Sequence, residues 1–313
     1  MRVVEYTQTD TALGGQVLIG FVSSADNATV ADLFRTLWLA VFQFEKRFSR
    51  FLTASELSRF NRRAGTEVPI SDEFRDILQQ ASHLAVVTQG LYNPFVLPAL
   101  HETGYVASAL RQYAANQPDD YSRRSGAPIT DLVVKHGHAL IPYNTAIDLG
   151  GCGKGYLADQ LGRILRDAHV EGYWIELSGD VATYGRDAEG HAIHVAIDGS
   201  DFVIRTPSTP FGIGTSGTKP RPGQTLKGHH IIDPRTLKPA DSDVYYATVC
   251  AASAVLADVL ASCAIIVGSK QAPQFLQQLG ATDWQLRVVS SSGVEKLVTH
   301  GTHIRQLKEA IHA

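Results

Sequence analysis

The chain has 313 residues, 44% of them hydrophobic, which is ample for a substantial core and argues against a disordered or fibrous class. A net charge of −3, with no Lys/Arg cluster interleaved with aromatics, excludes nucleic acid and anionic membrane as general partners. The cysteines, Cys152, Cys250 and Cys263, are far apart and odd in number, so they form no disulfide framework and fit a reducing compartment.

The opening "MRVVEYTQTD" has no basic stretch leading into an apolar run and no cysteine nearby. A cytoplasmic location is therefore expected for the chain as it stands, or export if an N-terminal signal has been removed. "GGQVLIGFVSS" (14–24) reads as a strand. The segment 28–48 carries apolar residues at helical spacing and predicts a long amphipathic helix. The polar stretch after it, through residue 69, reads as a surface run. Helical patterns return at 72–88 and around 96–116, separated by "TQGLYNPFVLP", whose Gly90, Pro94 and Pro98 break a continuous helix. Residues 116–128 are a loop by composition.

After residue 130 short strands are expected at "DLVVK", "HALIP" and "TAID", then a helix over 154–168 and a strand at "YWIELS". "HAIHVAI", "FVIRT" and "FGIGTS" follow at hairpin spacing. "HHIIDP" and "YYATVCA" are next, then helices at 251–266 and 270–279, two strands near 284–298 and a terminal helix. The run 251–268 carries Asp258 and is short for a membrane span, so a buried helix is expected there and no membrane span. Strands and helices interleave without strict alternation, which predicts an α+β fold with mixed or antiparallel sheets. With no repeat and no Pro/Ser-rich linker, one domain over residues 1–313 is expected.

"IDLGGCGKGYLADQLG" (147–162) raises the question of phosphate binding. A Walker A loop needs a glycine where this chain has Asp148 and a hydroxyl where it has Gly155, so the nucleotide-hydrolase motif fails. Glycines between a strand and a helix still present amides to an anion, and Lys154 adds a positive charge. The alternative is a tight turn whose glycines only allow close packing. On the helix "VLADVLASCAII", Asp258 and Ser262 stand four apart and share a face. Both are hard oxygen donors suited to Mg²⁺, unless Asp258 pairs with a buried cation or backbone group. In "GHHIIDPRTLKP", strand alternation would put His230 and Ile232 on one face and His229 and Ile231 on the other. No zinc-ligand spacing occurs. "TSGTKPRPG" (215–223) reads as an ordinary small-residue turn and "LSGDVATYG" (177–185) as a strand end with one glycine and one acid, each a weak signal when taken singly. Cys152 reads as a small, inert packing residue.

Taken in order, "FSRFLTASELSRFN", "GLYNPFVLPAL", "IDLGGCGKGYLAD", "IELSGDVATYG", "TSG", "HHIIDP" and "VCAASAVLADVLASCAIIVG" resemble the flavin transferase family known as ApbE, over about residues 14 to 290. The resemblance implies an α+β domain that uses FAD and Mg²⁺. It also implies transfer of FMN from FAD to a Thr or Ser hydroxyl of an acceptor protein, with release of AMP. Asp148 and Lys154 match the family's FAD contacts in the glycine loop, and Gly151 the position whose carbonyl meets the metal. Asp258 matches the metal-binding acid, and Ser262 stands where the family has threonine. Leu91, Tyr92 and Asn93 match a flavin-contacting stretch, Phe51 an aromatic beside the flavin, and Ile232 a further FAD contact. His230 is the candidate general base, because a neutral imidazole can take a hydroxyl proton near pH 7. The chain departs from the family at Ser262, at Lys238, where glycine is common, and after Gly217, where an aromatic is usual. An FAD pyrophosphatase, or a non-catalytic FAD-binding protein, are the alternatives.

Overall fold

The structure is a computed structural model and describes residues 3–106, 119–219 and 227–307. β1 (Val4–Ala12) and β2 (Gly15–Ser23) form a hairpin turned at Leu13 and Gly14, both at positive φ. β1 is not legible as a strand because it lies at the sheet edge with most residues exposed, so it lacks apolar alternation. α1 (Asn27–Phe48) is capped by Asp26, which accepts from the Thr29 N–H at 2.8 Å, and it buries Val30, Phe34, Leu37, Val41, Phe44 and Phe48. The expected surface run contains α2 (Glu56–Arg62), capped by Ser55, with Leu57 and Phe60 in the core. Two turns of helix need only two apolar anchors, too few for a periodic signal.

β3 (Val68–Pro69) joins a small sheet with β4 (Val133–Lys135) and β5 (His138–Leu140), which packs beside α3 (Asp72–Val87); the short α4 (Leu97–Glu102) lies further along the chain. The remainder of the helix expected around 96–116 lies outside the described residues. "TAID" is not a strand. It is an extended approach to the glycine loop, held where the buried Asn61 side chain both donates to the Ile147 carbonyl and accepts its N–H, each at 2.9 Å.

α5 (Gly153–Asp167) follows, then β6 (Gly172–Leu177), β7 (Asp180–Gly185), β8 (His194–Ala196), β9 (Phe202–Arg205) and β10 (Phe211–Gly217). β11 (Ile232–Asp233) and β12 (Lys238–Pro239) make a two-residue hairpin ladder. β13 (Val244–Ala251), α6 (Ala254–Val267), α7 (Ala272–Gln278), β14 (Asp283–Val289), β15 (Glu295–His300) and β16 (Ile304–Gln306) complete the described chain. Most of the expected terminal helix lies outside the described residues.

The main sheet runs β1-β2-β6-β7-β10-β13-β14-β15, antiparallel throughout, so the fold is α+β. α5 and α6 cover one face. A second sheet, β16-β9-β8, covers part of the other, where Ile204 and Ile304 meet Val181, Phe211 and Ile213. α6 lies unusually close to β10: a Cβ on Gly214 would fall 2.3 Å from the Ala257 carbonyl carbon and the Asp258 amide nitrogen. Gly214 therefore lets the backbone of Asp258 rest directly on the sheet.

Candidate active site

A cavity of about 790 Å³ opens where the N-terminus of α5, the middle of α6, the end of β10 and the loops before α2, before α4 and around β11 meet. Phe51, Leu91, Tyr92, Asn93, Asp148, Gly151, Lys154, His230, Ile232, Asp258 and Ser262 all line it. The structure thus brings together every candidate site residue, from segments as far apart as Phe51 and Ser262.

Its charged floor is built on α5 and α6. Asp258 is 3% exposed, and its Oδ2 accepts the Gly155 N–H at 3.4 Å and lies 3.8 Å from Lys154 Nζ. Lys154 also pairs with Asp180, which is fully buried. Burial raises the Asp258 carboxyl above its usual range, with the Lys154 charge working against it. Asp180 is raised to about 7, first by burial and then by the Asp258 charge, again opposed by Lys154. Two carboxylates share one ammonium, and Asp180 Oδ1 is buried with no hydrogen-bond partner. One turn along α6, the Ser262 hydroxyl meets that of Ser216 at 2.8 Å. Asp258 and Ser262 share a face as expected, and both line the cavity together with Gly151.

The glycine loop is arranged differently from an amide nest. Asp148 Oδ2 accepts the Gly150 N–H at 3.0 Å, while the Cys152 and Gly153 amides both return to the Leu149 carbonyl, at 3.1 and 2.7 Å. Asp148 Oδ1 is paired with Arg50 Nε at 3.1 Å. Asp148 therefore reaches the cavity with both oxygens already engaged. A Cβ at Gly151 would lie 3.3 Å from the Tyr92 ring, a tight contact. The Tyr92 hydroxyl donates to Cys152 Sγ at 3.0 Å, and burial pushes that thiol up to about 12, so Cys152 is an inert packing group.

Another part of the lining is aromatic, with the Phe51 and Tyr105 rings edge-on to each other at 82°. The Arg50 guanidinium lies 4.2 Å from the Phe51 ring centre and 4.8 Å from that of Tyr105. Tyr105 in turn stands 5.6 Å from the His230 ring. Ile232 is buried against Ala99 and Leu100. The Asn93 side chain accepts the Phe95 N–H and donates to the Ala127 carbonyl, so it shapes the loop that carries Tyr92. The strand in "HHIIDP" is shorter than expected, only Ile232 and Asp233, but the expected faces hold: Ile231 packs with Ala240, which His229 also meets, while Ile232 packs with Ala99 and Leu100 beside Tyr105, the ring next to His230. His229 is turned away and bonds the Ala240 carbonyl region at 3.0 Å.

Arg50, Asp180, Ser216 and Tyr105 complete the site and were not singled out from sequence. "SGD", the turn into β7, and "TSG", the end of β10, carried weak signals, being short small-residue segments.

Residues 18–284 match the family model described as ApbE family. A protein of Salmonella typhimurium named FAD:protein FMN transferase is 26% identical over 246 residues, covering 74% of this chain and 70% of that one. One of Klebsiella pneumoniae with the same name is 25% identical over 293 residues, covering 87% and 83%. The crystal structure of the Pseudomonas stutzeri flavinyl transferase ApbE, apo form, has the same fold: the TM-score is 0.79 at 21% identity, over 96% of this chain and 95% of that one. The flavin transferase ApbE of Vibrio cholerae superposes with a TM-score of 0.75 at 21% identity, over 98% and 99%.

Proposed function

The chain belongs to the ApbE family, and from that premise we propose that it transfers the FMN moiety of FAD to a threonine or serine hydroxyl of an acceptor protein, with Mg²⁺ as cofactor and AMP as product. The observation that carries this reading is the convergence of Asp258, Ser262 and Lys154 in a cavity that the Phe51, Tyr105 and His230 rings also line. The charged and hydroxyl groups suit a diphosphate and a cation, the aromatic ones a planar ring.

The donor set fits Mg²⁺. Asp258, Ser262 and the Gly151 carbonyl offer hard oxygens, and the surplus carboxylate beside Lys154, with its unpartnered Asp180 oxygen, leaves a local negative charge for a cation to offset. Bound there, Mg²⁺ supplies charge stabilisation on the diphosphate oxygens. Lys154 meets the same charge from the α5 side. Phe51, Leu91, Tyr92 and Ile232 seat the flavin and exclude water from it. The acceptor oxygen attacks the FMN-side phosphorus, forming the new P–O bond as the bridging P–O bond to AMP breaks. The hydroxyl proton passes to the His230 imidazole.

The test is incubation with FAD, Mg²⁺ and candidate acceptor proteins, followed by intact mass and nucleotide analysis. A flavin adduct on the acceptor with stoichiometric AMP is expected. AMP with free FMN and no adduct would make the protein a pyrophosphatase, and no AMP at all would leave it a flavin-binding protein.

A further inference from the structure

Transfer to a protein hydroxyl requires a stretch of acceptor chain to lie beside the diphosphate. A second cavity, of about 440 Å³, adjoins the first and shares Glu176, Gly179, Asp198, Thr215 and Tyr246 with it. It lies on the face of the main sheet away from α6. Alternation on β10 shows this: Gly212 and Gly214 press on α6, so Ile213 and Thr215 face the other way, into the second cavity. Leu18, Trp174 and Thr248 extend that floor on β2, β6 and β13.

The facing wall is the stretch 192–198, every residue of which lines the cavity. Consecutive residues border one space only when a strand turns its edge to it, because side chains alone would alternate. That stretch contains β8, the last strand of the order β16-β9-β8, and among the described residues no strand pairs with its outer edge. The register identifies the unpaired groups. The Ile197 N–H donates to the Phe202 carbonyl at 3.0 Å and the Thr206 N–H to the Ile193 carbonyl at 2.9 Å. Residues 193, 195 and 197 therefore face β9, and His194 and Ala196 turn their N–H and C=O groups to the outer edge.

We propose that the acceptor polypeptide docks here as an added strand on β8, over the apolar floor, with its target hydroxyl at the Asp198–Thr215 junction of the two cavities. The occupant is an extended segment whose backbone supplies affinity and whose alternate side chains, small and apolar, enter the floor. The proposal rests on the transferase reading above. It also explains how a chain can be delivered to the phosphorus from the side opposite α5 and α6, which the nucleotide and cation would occupy.

The variant Ala196→Pro removes one outward N–H and leaves the donors to β9 in place, a substitution that edge strands tolerate. The probe is a synthetic peptide of small apolar residues flanking a single threonine. Wild type and variant are compared for FAD binding, for AMP release without peptide, and for covalent flavin on the peptide by mass. Expected is an increase of about 10-fold in KM for the peptide, with FAD binding and peptide-independent AMP release unchanged, since a lost hydrogen bond is joined by exclusion of the neighbouring strand. A wild-type KM in a folded variant overturns the docking site. A wild-type enzyme that releases AMP yet leaves peptide and protein acceptors unmodified, or that releases no AMP under any condition, overturns the transferase reading instead. Should Ala196→Pro not fold, peptides N-methylated on alternate residues test the same point with the wild-type protein. Methylation on one parity should abolish labelling and on the other spare it; equal labelling of both would refute strand addition.

Discussion

Replacing Asp258 by asparagine keeps the side chain's shape and removes one charge. In the protein that charge is almost fully buried, opposed by an ammonium at 3.8 Å that Asp180 also engages, and touched by one long amide contact at 3.4 Å. Burial already raises the Asp258 carboxyl. Without metal, the substitution relieves a desolvation cost and a like charge beside Asp180, so Asp258→Asn should melt at or above the wild-type temperature. With metal the order reverses. A ligand at 100 times its Kd adds about 2.7 kcal/mol, which for a chain of this size is a rise of roughly 5 °C. Wild type should show that rise when Mg²⁺ is added with FAD or ADP, and the variant should not. Turnover should fall at least ~100-fold, the effect of losing about 3 kcal/mol of charge stabilisation in the transition state. Thermal melts with and without Mg²⁺, alongside AMP-release rates, measure both. A folded variant with wild-type turnover and an intact Mg²⁺ response would refute the metal assignment. A variant that melts far below wild type without metal would make Asp258 a purely structural acid.

Ser262→Ala should reduce turnover by less than Asp258→Asn, because water can replace a neutral ligand, and Ser262→Thr should retain activity; steady-state rates at saturating FAD decide the order. Gly155→Ala would place a Cβ 2.6 Å from the Ala254 oxygen and the Val255 Cα, backbone atoms that cannot rotate away. α5 and α6 must then separate, at a cost of roughly 1–3 kcal/mol or more, read as a lower urea midpoint at unchanged m-value; a wild-type midpoint would contradict the close approach. His101 is held at about 4, against an ordinary 6.5, first by burial and then by the Arg50 charge. Between those values the unfolded chain takes up a proton that the folded protein refuses, so stability is lost as pH falls from 6.5 towards 4. His101→Gln should flatten that slope in melts across the window, and an unchanged slope would assign the acid sensitivity elsewhere.

Much of the helical framework was legible because α1, α3 and α5 each bury a stripe at helical spacing, and α6 is apolar nearly all round apart from Asp258 and the small polar Ser262 and Cys263. β1 and α2 were not, one being an exposed edge and the other too short to repeat its pattern. The ordered motifs brought all eleven site residues into one cavity, yet Asp180 and Arg50 escaped notice. Their roles are pair relations: Asp180 matters through Lys154 and Arg50 through Asp148, contacts across 26 and 98 positions that no local spacing encodes. Asp180 also follows a turn with Ser178 and Gly179 at positive φ, and such a turn reads as punctuation when met alone.

The glycine loop shows how composition and geometry can point to the same ligand by different means. Glycines before a helix suggest a cradle of amides, as in nucleotide-hydrolysing loops. Here the amides of Gly150, Cys152, Gly153 and Gly155 are taken by Asp148, Leu149 and Asp258 within the protein. The glycines instead permit contacts: Gly151 against the Tyr92 ring and Gly155 against the start of α6. Those contacts fix Lys154 between two carboxylates and hold Asp258 at the cavity floor. On the proposed reading few amides remain to offset a diphosphate, and its charge falls to the lysine and to the Mg²⁺ proposed at Asp258. A loop of this kind binds an anion only as well as its cation does, so removing the divalent ion should weaken FAD binding far more than it would in a site built from amides.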